Sequence, residues 1–195
     1  MCKILKRMEK FTQEEILSQR EEIISLLRST NRDGIEKLIK FLDKSSYFFC
    51  WGSYRHHKYK GGLAEHSLQV CKIALDESSE NCDRNSIIIA SLLHDICKVM
   101  YEFPPERGYY GHGSKSVQII CDYLNFKLTD EEWRAIRFHM GSKAYLNNEE
   151  LVEEYTKAQN EELWHLVHTS DCLSCGNYPK FMRPMVKNII STLNL

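Results

Sequence analysis

The sequence predicts an all-α chain. Three observations carry this reading. Apolar residues recur at helical spacing along most of its length. Only four prolines interrupt it, Pro104, Pro105, Pro179 and Pro184. Two pairs, Thr12 with Glu15 and Thr129 with Glu132, have the spacing of a capping box at a helix start. With 195 residues the chain fits one domain of ordinary size that closes a hydrophobic core without disulfides. Residues 1–50 are expected as N-terminal helices packed on a core domain of residues 51–195, together one compact single-domain bundle.

The elements follow in order. After the Thr12 cap, Ile16, Leu17, Ile23, Ile24 and Leu27 give the first helix an apolar face. A second helix is expected over residues 35–42. Residues 51–62 lack periodicity, hold three glycines and carry positive charge without a carboxylate, so they read as a loop. A helix over residues 63–77 follows, with Leu63, Ser67, Val70, Ala74 and Leu75 at core spacing. The next, residues 85–98, has almost no polar face: Ile87, Ile88, Ile89, Ala90, Leu92, Leu93 and Ile96 mark it as a buried central helix. Helices over residues 114–125, after the Thr129 cap, and over 161–175 complete the pattern. Residues 101–113, with two prolines, three glycines and several aromatics, read as a connection or a lid.

Charge narrows the function classes. There are 26 Lys and Arg against 27 Asp and Glu, a formal net charge of -1. No overall field exists to hold an extended nucleic acid or an anionic membrane, so phosphate recognition has to be local. No apolar run approaches the roughly 20 residues that span a bilayer, and residues 1–10 lack a signal-peptide core. A cytoplasmic location is expected. The eight cysteines, among them Cys172 and Cys175 at C-x-x-C spacing, then read as reduced, mostly buried residues.

The central apolar helix ends in His94-Asp95. A carboxylate in such surroundings is strongly disfavoured unless it is paired or binds a metal. His66 stands 28 positions earlier, near the start of the preceding helix, so an antiparallel hairpin puts both histidines at one end. The arithmetic repeats between His112 and His139, 27 positions apart. If the two hairpin ends face each other, four imidazoles and Asp95 converge, a donor set suited to first-row transition metals. Asp171 is the best candidate for a further carboxylate, since it shares a helical stripe with Trp164, Val167 and Ser174. Asp122 reads as a surface residue. His165 and His168 read as structural, and His56 and His57 as loop or outer-site residues.

These residues resemble the HD superfamily of metal-dependent phosphohydrolases, whose order H…HD…D is matched by His66, His94-Asp95 and Asp171. The resemblance covers residues 54–175. It is nearest to the HD portion of YhaM-type bacterial 3'-to-5' exoribonucleases, in His56-His57, in Gly61-Gly62-Leu63-Ala64-Glu65-His66-Ser67-Leu68, in Leu93-His94-Asp95-Ile96 with Lys98, and in Gly111-His112. It implies that His66, His94, Asp95 and Asp171 ligate one divalent ion, and that His112 and His139 hold a second with Asp95 bridging. The ion would be manganese, iron, nickel, cobalt or zinc, with magnesium also admitted.

The reaction implied is hydrolysis of a phosphoester or phosphodiester by metal-bound hydroxide, since a bound ion lowers the pKa of its water toward about 7. Asp95 and Lys98 are the expected catalytic pair. Arg55, His57, Lys58, Lys60 and Tyr110 are the candidate substrate contacts, with Tyr54, Tyr59 and Tyr109 also able to stack on a base. The related exoribonucleases carry an OB-fold ahead of the HD portion, whereas residues 1–50 here have helical character. The expected substrate is therefore a nucleotide or short oligonucleotide. The alternatives are a catalytically silent nucleotide-binding module and a purely structural helical one. The sequence leaves the oligomeric state open.

Overall fold

The computed structural model describes residues 10–100, 111–141 and 149–175. They form helices α1 (Gln13–Ser29), α2 (Ile35–Lys44), α3 (Gly62–Glu77), α4 (Arg84–Leu93), α5 (His112–Gln118), α6 (Asp130–Phe138), α7 (Glu149–Ala158) and α8 (Glu162–Ser174). The architecture is all-α, and no strand occurs among the described residues. Both expected capping boxes are present, Thr12 with Glu15 and Thr129 with Glu132. No described helix is long and apolar enough to cross a membrane.

α4 is the centre, packed by α1, α3, α6 and α8. Its Ile87, Ile88, Ile89, Ala90, Leu92 and Leu93 are all buried, as a helix without a polar face requires. Each large aliphatic side chain among them contributes about 1.5–3 kcal/mol of transfer free energy. The apolar cluster around it runs from Ile16 of α1 to Val167 of α8. α3 and α4 form one hairpin and α5 and α6 the other. α8 lies against α3, α4 and α6, so its last turn reaches the ends of both hairpins.

Two helix ends differ from the sequence pattern. The helix expected to run to residue 98 closes at Leu93. The His94 Nδ1 atom lies 2.7 Å from the Ser91 carbonyl, and a 3-10 turn, Ile96–Met100, follows. The Lys98 amide donates to the Asp95 carbonyl three residues back, and this tighter winding folds Lys98 onto Asp95. α5 starts at His112, earlier than expected, because Gly111 in a left-handed conformation (φ 69°) opens it. It then widens into a π turn, Ile119–Tyr123, where the Leu124 amide donates to the Ile119 carbonyl. α7 carries few apolar positions among its acidic residues and is not among the helices the sequence singled out. Residues 101–110, expected as a connection or lid and including Tyr109 and Tyr110, lie outside the described residues.

One buried charge locks the N-terminal helices to the second hairpin. Glu132 of α6 is fully buried and receives Arg32 at 2.5 Å and 3.1 Å, Ser86 Oγ at 2.8 Å and the Thr129 amide at 2.8 Å. Removing one partner of such a pair leaves an uncompensated carboxylate. Arg32→Ala is therefore expected to cost about 3 kcal/mol, read as a lower urea midpoint at unchanged m-value.

Candidate metal centre

The centre is assembled from helix ends, where backbone carbonyls lack intrahelical partners. His94 is the C-cap of α4 and His139 the C-cap of α6. Each turns its Nδ1 back to the carbonyl three residues earlier, His94 to Ser91 at 2.7 Å and His139 to Ile136 at 2.8 Å. A carbonyl only accepts, so each Nδ1 carries the proton and each Nε2 is a bare lone pair. On α3, His66 Nδ1 meets Ser174 Oγ at 2.8 Å, while that hydroxyl donates to the Asp171 carbonyl at 3.0 Å. The same tautomer follows for His66.

The Nε2 atoms of these three rings and of His112 converge. His66 Nε2 and His94 Nε2 are 3.2 Å apart, and His112 Nε2 and His139 Nε2 are 2.8 Å apart. Asp95 lies between the two pairs with one oxygen toward each. Its Oδ2 is 3.4 Å from both His66 and His94 Nε2. Its Oδ1 is 3.2 Å from His112 Nε2 and 3.8 Å from His139 Nε2. Asp171, from the last turn of α8, brings Oδ1 to 3.2 Å from His66 Nε2 and 3.9 Å from His94 Nε2. All six residues singled out from the sequence are thus in one place.

The donor set fits divalent ions. Asp95 is 2% exposed, and its Oδ1 is a fully buried oxygen with no hydrogen-bond partner. Bare imidazole nitrogens packed beside one another and an orphaned carboxylate oxygen are costly in a buried site. A cation among them satisfies both. Burial, with His112 and His94 adding to it, pushes the His139 pKa down to about 3, so this ring is neutral and available at ordinary pH. Burial opposes ionisation of Asp95, but the Lys98 ammonium beside it outweighs that and holds the carboxyl well below the usual carboxylate range.

Lys98 does not snorkel to solvent. It is buried, its ammonium hydrogen-bonded to Asp95 Oδ2. Burial alone would lower its pKa, and Asp95 more than reverses that. The tight 3-10 turn thus orients the carboxylate that spans both groups.

Two glycines permit the close approaches. A Cβ on Gly113 would lie 2.4 Å from the Arg137 carbonyl oxygen, so only glycine lets α5 press on the end of α6 and bring His112 to His139. A Cβ on Gly62 would lie 2.0 Å from the His57 carbonyl oxygen. Residues 51–62 are tied there by hydrogen bonds from the Gly52 amide to His57 and from the Gly61 amide to Phe49.

That loop brings the His56 and His57 rings to 5.3 Å and 5.2 Å from the His66 ring. Arg55, Lys58 and Lys60 are exposed. The ammoniums of Lys58 and Lys60 lie over the rings of Tyr54 and Phe49 at 3.9 Å and 5.5 Å, and so pair with these rings rather than with the imidazole cluster. Tyr110 lies outside the described residues. His168 stacks on Trp164 and donates to the His139 carbonyl at 2.6 Å, while His165 turns outward to the Gln159 carbonyl.

Cys175, set aside in the sequence as an ordinary cysteine, stands beside the centre. Its Sγ is 3.1 Å from His56 Nε2 and 3.6 Å from Asp171 Oδ1. Burial, then the charges of Asp171 and Asp95, push its thiol well up. The available signal was its place one helical turn after Asp171.

Two imidazole pairs joined by one carboxylate at the ends of two helical hairpins define a metal-binding helical bundle. Residues 63–168, more than half of the chain, match the HD domain family, and the chain belongs to it. A dihydroneopterin 2',3'-cyclic phosphate phosphodiesterase of Methanocaldococcus jannaschii is 31% identical over 121 residues, covering 57% of this chain and 46% of that protein. The chain spans about half the length of that relative. No solved structure matches the chain.

Gly113→Ala should displace His112 and lower the metal content by about one ion per chain, as His139→Ala should, while the ion on the His66 side persists. Elemental analysis of the purified variants reads this directly. Unchanged content in both would confine binding to His66, His94, Asp95 and Asp171.

Proposed function

We propose that this chain is a metal-dependent phosphohydrolase that cleaves a phosphodiester or phosphoester in a nucleotide or nucleotide-like molecule, with a short oligonucleotide as the upper size. The observation that carries this reading is Asp95, whose two oxygens address two separate imidazole pairs. In this assignment His66, His94, Asp95 and Asp171 hold one divalent ion, and His112 and His139 hold a second with Asp95 shared. The bound ions supply an acidified water and neutralise charge building on the phosphoryl oxygens.

The protein's own residues do the rest. Ser91, Ile136 and Ser174 fix the imidazole tautomers from behind, the arrangement that orients ligands in metal sites. Lys98 balances and orients Asp95. In this reading His57, Arg55, Lys58, Lys60 and Tyr110 are the outer phosphate and base contacts. Charge near neutrality and the absence of a broad basic field favour a small substrate, and the activity named for the archaeal relative, on a cyclic phosphodiester, supports the same size. The finer likeness to YhaM-type exoribonucleases rests on the strings around His56 and His66, and short oligonucleotides therefore belong in the test. A cytoplasmic site of action is part of this reading.

A hydrolysis panel of cyclic nucleotides, mononucleotides and short oligonucleotides, with manganese, nickel, cobalt, zinc and magnesium added in turn, tests the proposal. Turnover is expected with at least one small phosphodiester. Asp95→Asn should lower kcat by more than about a hundredfold, beyond the 10–100-fold that loss of a supporting residue costs. Lys98→Met should lower kcat within that 10–100-fold span with metal content retained. A metal-free protein whose Asp95→Asn variant behaves like the parent would sink the reading.

A further inference from the structure

Behind the His66 side of the centre lies a group of donors that the two-ion assignment does not use. A hydrogen-bond relay sets the tautomer of its imidazole, His56. Glu65 Oε1 accepts from the Gln69 amide nitrogen at 3.2 Å, which leaves Gln69 Oε1 as the acceptor for His57 Nε2–H at 3.1 Å. His57 Nδ1 is then a lone pair and accepts from His56 Nδ1–H at 3.1 Å. His56 Nε2 is left bare, and it lies 3.1 Å from Cys175 Sγ.

The sulfur therefore faces two acceptors, His56 Nε2 and the Asp171 carboxylate oxygen 3.6 Å away. One S–H proton serves only one of them. A divalent ion in place of that proton serves all three. In tetrahedral coordination, with metal–sulfur distances near 2.3 Å and metal–nitrogen distances near 2.0–2.1 Å, sulfur and its neighbouring donors stand about 3.5 Å apart, and the separations of 3.1 Å and 3.6 Å bracket that value. The ligand atoms of His56, His66 and Cys175 all lie within 4.8 Å of one another. The sulfur sits nearly midway between the two His56 nitrogens, with Nδ1 at 3.4 Å, so aiming the Nε2 lone pair takes a turn of the ring about its Cβ–Cγ bond that exchanges the Nδ1 bond to His57 for the bond to the ion.

We infer that His56, Cys175 and the shared carboxylate of Asp171 form a further cation position on the flank of the centre, selective for a thiophilic divalent ion of the zinc class. Thiolate and imidazole together select zinc or cobalt over magnesium or manganese, which prefer oxygen donors. On binding, the ion takes the place of the Cys175 proton, which leaves to solvent, and a sulfur–metal bond forms with no change of oxidation state. The position presumes that Asp171 belongs to a metal centre, and so rests on the function proposed above.

Cobalt and zinc loading of the full chain tests it without reference to activity. The cobalt-loaded parent should show a sulfur-to-cobalt charge-transfer band in the near ultraviolet. Cys175→Ser should abolish that band and lower bound zinc by about one ion per chain, with two retained, and His56→Ala should weaken the band. Manganese loading should give equal ion counts in parent and Cys175→Ser. Absence of the band in the parent, its survival in Cys175→Ser, or an unchanged zinc count overturns the inference. A protein that keeps two ions and turns over a phosphodiester but shows no such band sinks this inference alone. One with neither ions nor turnover sinks the functional reading as well.

Discussion

Everything at the centre depends on where three imidazole protons are held. His94 and His139 give theirs to helix-end carbonyls, and His66 gives its own to a hydroxyl already committed as a donor. The consequence is a convergence of unprotonated Nε2 atoms around a buried carboxylate. Rotation of any of these rings would trade a lone pair for an N–H aimed at its neighbour. The acceptors behind the rings, rather than the rings alone, thus make the donor set.

The same helix ends are finished by donors from elsewhere. Tyr47, fully buried, donates its hydroxyl to the Leu92 carbonyl at 2.6 Å, and Trp164 Nε1 donates to the Phe138 carbonyl at 2.9 Å. His168 adds the His139 carbonyl and Tyr155 the Gly141 carbonyl. These bonds satisfy carbonyls that a buried helix terminus would otherwise leave unpaired. They also pin the backbone of both C-caps to the apolar core. Positional precision at the centre is therefore inherited from packing around α4 and α8, and core residues far from any metal contribute to it.

Much of this was legible in the sequence, for identifiable reasons. An apolar helix interrupted by His94-Asp95 is a local conflict, and such conflicts mark sites. Nearly equal spacing of the two histidine pairs follows from hairpins of similar length, and helical periodicity reports length well. Spacing does not report how a helix ends. The 3-10 turn that folds Lys98 onto Asp95 and the left-handed Gly111 that starts α5 depend on single hydrogen bonds and one positive φ. Gly113 could be read only as a glycine, because its role is set by the Arg137 carbonyl across the hairpin. Cys175 was overlooked because a C-x-x-C pair invites comparison with its partner Cys172, whereas its neighbours in space are Asp171 and His56.

A centre built this way is costly to fold. Neutral imidazoles with facing lone pairs, an orphaned Asp95 oxygen and a buried Lys98 are each less favourable than the apolar side chains that would fill the same volume. The surrounding core has to offset them, and α4, with scarcely a polar atom outside its ends, is where that surplus is concentrated. A cation held there would return part of the cost as stability, by about 2.7 kcal/mol when the free ion exceeds its dissociation constant a hundredfold. Folding and metal loading would then be linked equilibria. The arrangement that strains the helix ends is the one that readies them for a charged ligand.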